Sequence, residues 1–518
     1  MKSIVIAGYY GFKNVGDDAV LTSMLDDLRV VFPGAAFTVV GLDVEQLQNQ
    51  FGVRGVHWTD FQATWRAVAE SDVVLLGGGG IFNDYLEYPD NLLLNPSSNP
   101  GSFGLVYGLP LMALVHGKPA MVFAAGASFI KSDFAKRDIG LGVAACSAVT
   151  LRDCKSVELL KVLPLLGGKN MEVTADPAFR LKNIQGEQFA RVFGKSPTPP
   201  GPCLAVVLRQ WDFYGNQQVL EKAVAEAINA FCRVHGGWVL LLPFDTRSSD
   251  NLDDDVAVLQ RVAKALEPTV PYKLLTDYLR PGEASALMGS CDLALCMRLH
   301  SAIFATKNAV PLVGLVYDQK VFNVLDSIGL GEYALDIQAL NADSLAARLD
   351  DLWRQRERHR QVLSAAAQKA SEAALGNITR LKQMLEEPYR APSQKYSPEM
   401  TDFFINYTRR CHEFHQNSLA DIQHSLANTQ NSLADVTYKL AYACHQSKQY
   451  AQALEYYQKA LTAGFSEFWV RYNRGCLFLE TERTHEAKPE LSRAVGLDPS
   501  HEGARRMLET AEQALCQR

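Results

Sequence analysis

Short runs of valine, isoleucine and leucine alternate with helix-length stretches over the first 385 residues of this 518-residue chain. Such near-continuous apolar runs are typical of strands in a parallel sheet, because helices cover both of its faces. Before residue 195 the predicted strands are Ser3–Ala7, Phe37–Gly41, Val73–Leu76, Ala120–Ala124, Ala148–Leu151 and Met171–Thr174. The alternation indicates a doubly wound α/β fold.

A proline-dense stretch, GKSPTPPGP at residues 194–202, interrupts the alternation, because proline continues neither a helix nor a central strand. Further strands are predicted at Cys203–Leu208, Val239–Leu242, Tyr272–Leu275, Leu293–Cys296 and Pro311–Leu315. We therefore predict two facing Rossmann-like domains, at residues 1–195 and 203–385. Ligands of such sheets bind beyond the carboxyl ends of the strands, so a site is expected between the two domains.

The rest of the chain follows a different pattern. After a predicted linker at residues 386–400, a heptad stripe runs from Leu419 to Leu440. A 34-residue repeat follows, in which Ala441, Ala453, Tyr457 and Ala460 recur as Gly475, Ala487, Leu491 and Ala494. This period is that of tetratricopeptide repeats, so residues 401–518 are predicted to form an all-α module. Its expected partner is another protein or a second copy of the chain.

Composition and charge narrow the class of protein. The net charge of −6 argues against a bulk nucleic-acid binder, which would show a basic face. No apolar run approaches the roughly 20 residues that span a bilayer, and the first residues resemble a strand rather than a signal peptide. The ten cysteines show no zinc-ligand spacing, so no bound metal is predicted. Reduced thiols and a cytoplasmic location are expected.

The stretch GYYGFKNVGDDAVL, residues 8–21, follows the first predicted strand and leads into a helix near Asp17. Its glycines allow close backbone approach, and a helix amino end favours an anion. Two interpretations fit equally well. Either Gly11, Asn14 and Asp17 contact a ligand, or the stretch is a purely structural turn in which Asp17 or Asp18 caps the helix.

A second glycine-rich stretch, LLGGGGIFND at residues 75–84, also follows a predicted strand. Four consecutive glycines expose a row of peptide N–H groups, which suits a phosphate or the oxygens of a sugar. A flexible crossing loop would carry a high entropic cost with four glycines. The stretch therefore favours ligand contact at Gly78 and Gly79, with Asn83 and Asp84 on the same rim.

Four basic residues and a histidine lie just after predicted strands. They are Arg152, Arg209, Arg298, His300 and Lys320. Burying an unpaired charge costs several kcal/mol, so these residues must meet partners, water or a ligand. Cations sharing one rim of two facing sheets make an anion site, which we predict in the cleft. By contrast, the acidic run Asp250–Asp255 is predicted to be a solvated loop or a helix amino end.

Seven motifs occur in order along the front of the chain, and together they resemble the polysaccharide pyruvyl transferase family. They are GYYGFKNVGDDAVL, LLGGGGIFND, LRDCKS, ADPAF, VVLRQW, RLHSAIFA and YDQK. The resemblance covers residues 1 to about 385 and implies a fold like that of the two-domain GT-B glycosyltransferases. It implies transfer of a pyruvyl group from phosphoenolpyruvate onto two sugar hydroxyls as a cyclic ketal, in cell-surface polysaccharide synthesis. Beyond that donor substrate, no cofactor is expected.

The resemblance also implies roles for residues. Arg152, His300 and Lys320 match positions held to be important for activity, while Arg298 and Arg209 match positions expected to hold the donor. The chemistry needs an acid for the enol methylene and a base for the sugar hydroxyls. His300 can serve as that acid or neutralise the departing phosphate.

Asp17 is a candidate base for the same reaction, although the sequence does not place it. The chain departs from the family pattern at Lys13, where a small residue or glycine is common, and at Asp18, where glutamate is usual. The stretch GASFI, residues 126–130, replaces a more usual glycine-rich turn. These departures leave the acceptor sugar open.

Two other functions compete with pyruvyl transfer. The first is a nucleotide-sugar glycosyltransferase of the same fold class, which commonly places a glutamate where this chain has RLH. The second is a non-catalytic scaffold with a helical docking tail. The retention of the four basic residues and His300 argues against the scaffold, and RLH suits an acidic substrate better than a ribose hydroxyl.

Overall fold

The structure is a computed structural model that describes residues 2–84, 104–194, 200–211, 217–246, 254–389, 434, 437–442 and 444–516. The chain divides into two compact units, Met1–Lys395 and Tyr396–Arg518, and each is described by itself. In the described part of the chain, no helix is long and apolar enough to cross a membrane.

The first half of the front unit is a parallel sheet with helices on its faces. Its strands are β1 (Ser3–Ala7), β2 (Ala36–Gly41), β3 (Arg54–His57), β4 (Val73–Gly77), β5 (Ala120–Ala125), β6 (Ala148–Leu151) and β7 (Glu172–Val173). They lie in the order β3-β2-β1-β4-β5-β6-β7. Its helices are α1 (Val15–Val31), α2 (Val44–Phe51), α3 (Phe61–Glu70), α4 (Gly104–Val115), α5 (Asp133–Ala145) and α6 (Cys154–Lys161).

Short helical turns connect this sheet to the next half. They are a 3₁₀ helix at Pro177–Arg180, α7 (Glu187–Phe189) and a π-helical turn at Ala190–Gly194.

The second half has the same design. Its strands are β8 (Cys203–Val207), β9 (Trp238–Leu241), β10 (Tyr272–Leu274), β11 (Leu293–Cys296), β12 (Leu312–Val316) and β13 (Ala334–Asp336). They form a parallel sheet in the order β10-β9-β8-β11-β12-β13. Its helices are α8 (Gln217–His235), α9 (Asp255–Ala265), α10 (Pro281–Gly289), α11 (Leu299–Lys307), α12 (Gln319–Ser327), α13 (Ala342–Arg354) and α14 (Arg356–Glu386), with a 3₁₀ turn at Gly331–Tyr333.

Three helices begin shortly after a strand and are capped by a side chain in the connecting loop. Asn14, Asp153 and Asp318 accept hydrogen bonds from the first N–H groups of α1, α6 and α12. These N–H groups have no partner within a helix, so the caps stabilise each helix start. Because the caps follow β1, β6 and β12, they hold Arg152 and Lys320 at the rims of the sheets.

Every strand predicted from the sequence is present, with bounds that differ by at most one residue at either end. Two strands lie outside the predicted set, namely β3 and β13, and both are edges of their sheets. An edge strand has one open side and needs no continuous apolar run. β3 reads RGVH and β13 reads ALD, so neither carries the signal of a buried parallel strand.

Core packing crosses the predicted domain bounds in two places. Ile378, Leu381 and Met384, near the end of α14, pack in the core of the first sheet. Ala178 and Phe179, which precede the proline-dense stretch, pack in the core of the second sheet. Each half therefore contributes a segment to the core of the other.

The rear unit contains α15 (Tyr450–Thr462), α16 (Glu467–Glu480), α17 (Thr484–Leu497) and α18 (Glu502–Cys516). The repeat positions are fully buried, at Ala453, Tyr457 and Ala460 and again at Ala487, Leu491 and Ala494. At Gly475 an added Cβ would lie 2.4 Å from Leu491 Cγ, so the contact between α16 and α17 requires glycine. The predicted all-α repeat module is confirmed, whereas most of the predicted heptad stripe lies outside the described residues.

Candidate active site

The site residues predicted from the sequence lie at the carboxyl ends of the parallel strands. Strand order reverses on the two sides of β1 and of β8, which is where doubly wound sheets bind their ligands. The loops after β1, β4, β6, β8, β11 and β12 carry the predicted residues. The fold thus delivers them to the rims of two sheets.

Three buried residues, Arg152, Asp176 and His300, and the half-buried Asp17 form one group, which we call the Arg152 cluster. Arg152 Nη1 donates to Asp176 Oδ2 at 3.0 Å, and His300 Nε2 lies 3.5 Å from the same oxygen. Burial alone would raise the pKa of Asp176, but the neighbouring His300 and Arg152 lower it to about 2. Asp176 is therefore a carboxylate at neutral pH, and it links a rim residue of the first sheet to one of the second.

Asp17 completes the Arg152 cluster from the start of α1. Burial raises the pKa of Asp17 above its ordinary value, against the opposing charges of His300, Arg152 and Lys320. All three basic groups are thus close enough to act on this carboxyl. The structure therefore brings Asp17 to the group that Arg152 and His300 form, which the sequence alone does not establish.

Glycines around the Arg152 cluster are needed for close packing. An added Cβ at Gly16 would lie 2.1 Å from His300 Nδ1, and one at Gly79 would lie 2.5 Å from Asp17 Oδ1. Gly79 also has a φ of 71°, in the left-handed region that favours glycine. The glycine-rich loops thus make room for the charged side chains of the site.

A second buried group, the Arg298 cluster, consists of Arg298, Asp255, Asp245 and Asn14. Arg298 Nη2 donates to Asp255 Oδ1 at 2.7 Å, and its Nε lies 3.2 Å from both oxygens of that carboxylate. Asp245 Oδ2 lies 3.8 Å from Arg298 Nη2 and accepts a hydrogen bond from Asn14 Nδ2 at 3.4 Å. Burial raises the pKa of Asp255 to about 6, although Arg298 opposes that rise.

The Arg298 cluster corrects one expectation. Asp255 belongs to the acidic run predicted to be solvated, yet it is fully buried and bound to Arg298. The other half of that prediction holds, because Asp255 is the first residue of α9 and Asp254 caps the helix. Its second oxygen accepts hydrogen bonds from the N–H groups of Phe244 and Asp245, so a buried carboxylate replaces the expected surface one.

Tyr317, Arg209 and Lys320 form a third group, which we call the Tyr317 group. Arg209 Nη1 donates to the Tyr317 hydroxyl at 3.2 Å, and Lys320 Nζ lies 5.3 Å from the centre of the Tyr317 ring. Burial opposes ionisation of this phenol, but Lys320, Arg209 and Arg298 outweigh it and lower the pKa of Tyr317 to about 8. The phenol is thus electrostatically linked to all three basic residues.

Four site residues were not singled out by the sequence analysis: Asp176, Asp245, Asp255 and Tyr317. Two of them stand inside recognised motifs, Asp176 in ADPAF and Tyr317 in YDQK. A search for acidic partners of the predicted basic residues would have found Asp176, since it follows a strand. Asp245 and Asp255 carry no such signal, because their partner Arg298 lies more than 40 positions away in the chain.

Several residues predicted to contact a ligand have structural partners, and their ligand contacts stay predictions. Asn83 Nδ2 donates to the carbonyl of Gly80 at 2.6 Å, and Asp84 Oδ2 accepts from the N–H groups of Lys131 and Ser132. Both side chains thus hold the loops after β4 and β5. Gly78 packs against Val20, whose Cγ1 would lie 2.0 Å from an added Cβ.

Gly11, in the first glycine-rich stretch, also has a structural reason to be glycine. It has a φ of 78°, and an added Cβ would lie 2.7 Å from the backbone nitrogen of Asp43. Its predicted contact with a ligand stays a prediction.

Two buried donor atoms at the site have no hydrogen-bond partner among the described residues. They are Arg152 Nε and His300 Nε2. A buried donor without a partner costs about 1–3 kcal/mol, more when it is charged. His300 Nε2 already faces the Asp176 carboxylate at 3.5 Å, so Arg152 Nε is the better placed of the two to receive an anionic ligand. No group of three or more His, Cys, Asp or Glu side chains in the described ranges could hold a metal ion.

The fold and these rims define a GT-B-like protein, built from two doubly wound halves with charged residues at their carboxyl rims. A putative UDP-N-acetylglucosamine 2-epimerase from Listeria monocytogenes superposes with a TM-score of 0.51 and 12% identity, over 75% of this chain and 98% of that one. The MnaA–UDP co-structure from S. aureus gives a TM-score of 0.50 and 11% identity, over 76% and 99%. At these identities the likeness shows the fold alone, and it confirms the predicted class.

The sequence itself identifies the family. Residues 14–319 match the family described as polysaccharide pyruvyl transferase, and the chain belongs to that family. Residues 434–463 and 470–501 match the tetratricopeptide repeat. The amylovoran biosynthesis protein AmsJ of Erwinia amylovora is 25% identical over 238 residues, or 45% of this chain and 56% of the relative. The match thus spans little more than half of that relative's length.

Proposed function

We propose that this protein transfers the pyruvyl group of phosphoenolpyruvate to two hydroxyls of a sugar, forming a cyclic ketal in polysaccharide synthesis. The observation that carries the proposal is the buried Arg152 Nε, which makes no hydrogen bond among the described residues, with the imidazole of His300 beside the same aspartate, Asp176. An anionic substrate would supply a partner for that nitrogen. Membership of the polysaccharide pyruvyl transferase family supports the same donor.

The donor carries a phosphate and a carboxylate, and the site offers two groups of basic residues. We assign one anionic group to Arg152 with His300, and the other to Arg209 with Lys320. Arg298 has its Nε and Nη2 occupied by Asp255, so it contributes charge to the site and holds its own loop in place.

The proposed reaction begins with protonation of the donor methylene carbon by His300, which converts it to a methyl group. A sugar hydroxyl oxygen forms a bond to the adjacent carbon, and its proton is lost. The second hydroxyl oxygen then bonds to the same carbon as the bond to the phosphate oxygen breaks. Asp17, beside His300, takes the proton of the second hydroxyl and returns it to the histidine. The first proton leaves with the phosphate.

The test is incubation with labelled phosphoenolpyruvate and candidate glycans, followed by mass analysis and phosphate measurement. We expect a glycan that gains pyruvate minus water, with one phosphate released for each product. His300→Gln should lower turnover by about a hundredfold or more, the range of general acid catalysis. His235→Gln is the matched control, since that histidine also pairs with an aspartate, Asp350, on α8 and α13.

Other outcomes select the competing functions. Transfer of a sugar from a nucleotide donor, without consumption of phosphoenolpyruvate, would identify a glycosyltransferase. An absence of turnover with every donor would favour the scaffold.

We propose that the rear unit docks to another protein and takes no part in the chemistry. Tetratricopeptide repeats present extended surfaces that suit protein partners. The chain divides after Lys395 into two separate compact units, which supports independence. Truncation after Glu387 should leave turnover on a small acceptor within about twofold of the full chain. Loss of turnover in a folded truncated protein would instead make the rear unit part of the active site.

A further inference from the structure

A cavity of about 650 Å³ opens next to the Tyr317 group and is lined by both halves of the front unit. Phe129 and Leu159 line it from the first half, and Trp211, Tyr317 and Ile337 from the second. Its volume falls within the range of about 300–1,000 Å³ that is usual for small-ligand sites. Neither the Arg152 cluster nor the Arg298 cluster lines it.

The lining of the cavity has the chemistry of a saccharide site. Aromatic rings of Phe129, Trp211 and Tyr317 provide flat apolar surfaces for the C–H face of a sugar ring. Asn323 and Gln338 add amide groups, each of which can both donate and accept hydrogen bonds as sugar hydroxyls require. Its charged residues are Lys131, Asp318 and Asp336, so acidic groups outnumber the one basic group and the lining differs from that of the basic sites beside it.

Tyr317 lies at both the cavity and the anion site of Arg209 and Lys320. It lines the cavity, and its hydroxyl accepts the hydrogen bond from Arg209 at the anion site. Its ring contacts Trp211 edge to face, with ring centres 4.6 Å apart, and the guanidinium of Arg209 lies 5.0 Å from the Trp211 ring. A ligand in the cavity would therefore contact a residue that also contacts the donor site.

Ketal formation requires two sugar hydroxyls to lose their protons, and the proposed mechanism assigns a base to the second only. We propose that the cavity binds the acceptor saccharide and that the Tyr317 oxygen accepts the proton of the first attacking hydroxyl. This inference rests on the proposed function. The hydroxyl O–H bond breaks as its oxygen bonds to the donor carbon, the proton goes to the phenolate oxygen, and the phenol then passes it to the released phosphate.

The charges around Tyr317 suit this role. Lys320 from α12, Arg209 after β8 and Arg298 after β11 act on the phenol, and Asp318 caps α12 just before Lys320. Lys131 and Asp336 are the other charged residues that line the cavity with Tyr317. Burial opposes ionisation, yet the three basic residues lower the pKa of Tyr317 to about 8. A phenolate is therefore accessible in mildly alkaline solution, where an ordinary tyrosine with a pKa of about 10 stays protonated.

The first experiment replaces the phenol. Tyr317→Phe should keep its affinity for phosphoenolpyruvate within about threefold, measured by calorimetry, and lower kcat by about a hundredfold. The wild-type kcat should rise as the pH increases through about 8, and this rise should be absent in the variant. Wild-type kcat and an unchanged pH profile in Tyr317→Phe would overturn the role of the phenol.

The second experiment tests the cavity apart from the phenol. Asn323→Leu should raise the KM for the acceptor about tenfold, the effect of one lost hydrogen bond, and leave the affinity for phosphoenolpyruvate unchanged. Ser327→Leu places similar bulk on an exposed part of the same helix and is the control. Methyl glucoside, methyl galactoside and methyl mannoside serve as acceptor probes. Equal KM values for wild type and Asn323→Leu would overturn the assignment of the cavity.

These experiments distinguish failure of the acceptor-site inference from failure of the proposed function. A wild-type protein that converts phosphoenolpyruvate normally, with unaffected Tyr317→Phe and Asn323→Leu variants, disproves the acceptor site only. A wild-type protein that neither binds nor converts phosphoenolpyruvate disproves the proposed function and this inference together.

Discussion

Arg152 and Arg298 occupy the same kind of position but have different surroundings. Each follows a buried strand, is itself buried, and pairs with a buried aspartate. Asp255 engages two nitrogens of Arg298, and Asp245 lies 3.8 Å from one of them. Arg152 makes one hydrogen bond to Asp176, and its Nε makes none in the described part of the chain, although Asp153 Oδ2 lies 3.8 Å from that nitrogen. Arg298 thus donates to its aspartate through two nitrogens, whereas Arg152 keeps one nitrogen that can donate to a ligand.

The aspartates that pair with these arginines, Asp176 and Asp255, differ in their pKa values. Asp176 has an arginine and a histidine beside it, and its pKa falls to about 2 despite burial. Asp255 has Arg298 on one side and Asp245 on the other, and burial raises its pKa to about 6. Asp176 is thus fully ionised at neutral pH, whereas the pKa of Asp255 lies only about one unit below neutral pH. We infer that the Arg152 cluster is built for a ligand and the Arg298 cluster for the fold.

The largest expected effect on stability comes from removing Arg298 from its pair with Asp255. Arg298→Met leaves Asp255 and Asp245 buried without their cation, and should lower the free energy of unfolding by about 3–5 kcal/mol. Urea unfolding at pH 7.5 measures this. Replacing both partners, with Arg298→Met and Asp255→Leu together, should recover part of the loss. A stable Arg298→Met that loses donor affinity would return Arg298 to the donor-binding role that the family resemblance implies.

This comparison shows what the sequence could predict. Strand position was readable, because apolar runs mark buried strands and the rim follows from them, so both arginines were found. The sequence did not show how many nitrogens of each arginine are hydrogen-bonded, since Asp255 contacts Arg298 from a separate helix. The carboxylates of Asp17 and Asp176 meet His300 only after both sheets have formed. Side-chain partners that depend on tertiary packing leave no local pattern.

The pH dependence of stability should separate the two clusters. The folded pKa of Asp255, about 6, exceeds an unfolded value of about 3.9. Its contribution of about 3 kcal/mol is therefore complete below pH 4 and disappears as the pH rises through 6. Asp18, whose pKa burial raises to about 7, adds a change of the same sign. Asp176 has the opposite sign, with stability present above pH 4 and lost as the pH falls toward 2.

Urea unfolding between pH 5 and 8 measures this dependence. The unfolding free energy of the wild type should increase as the pH falls across that range. Asp255→Asn should show a shallower increase, because the variant lacks one of the buried carboxyl groups whose pKa is raised. Identical slopes in the two proteins would mean that Asp255 does not titrate in this range.

A smaller effect, on donor affinity, is expected from removing Arg152 from its pair with Asp176. Arg152→Met removes a charged contact worth about 1.5–3 kcal/mol to an anion, so phosphoenolpyruvate should bind about ten- to a hundredfold more weakly. Calorimetric titration measures this affinity. Arg180→Met is the control, because Arg180 also pairs with an aspartate, Asp27, through two hydrogen bonds. If both variants bind the donor as the wild type does, the open nitrogen of Arg152 is not a ligand contact.

The smallest effect concerns Lys13, in the loop that joins the two clusters. Lys13 immediately precedes Asn14 of the Arg298 cluster and lies four residues before Asp17 of the Arg152 cluster. Its φ of 54° lies in the left-handed region, which costs a lysine about 1–2 kcal/mol and glycine much less. Glycine also gives the unfolded chain more freedom, so Lys13→Gly should stabilise the front unit by less than about 1 kcal/mol.

Lys448 is the matched control for this last change, because it is also an exposed lysine with a positive φ, of 61°, but it lies in the rear unit. Calorimetry should show the midpoint of the front unit rising by no more than about 2 °C in Lys13→Gly and staying unchanged in Lys448→Gly. Neither change should alter donor affinity, since neither lysine belongs to a cluster. A clear loss of donor affinity in Lys13→Gly would show that this strained loop sets the distance between Asn14 and Asp17. The Arg152 cluster and the Arg298 cluster would then act as one coupled site.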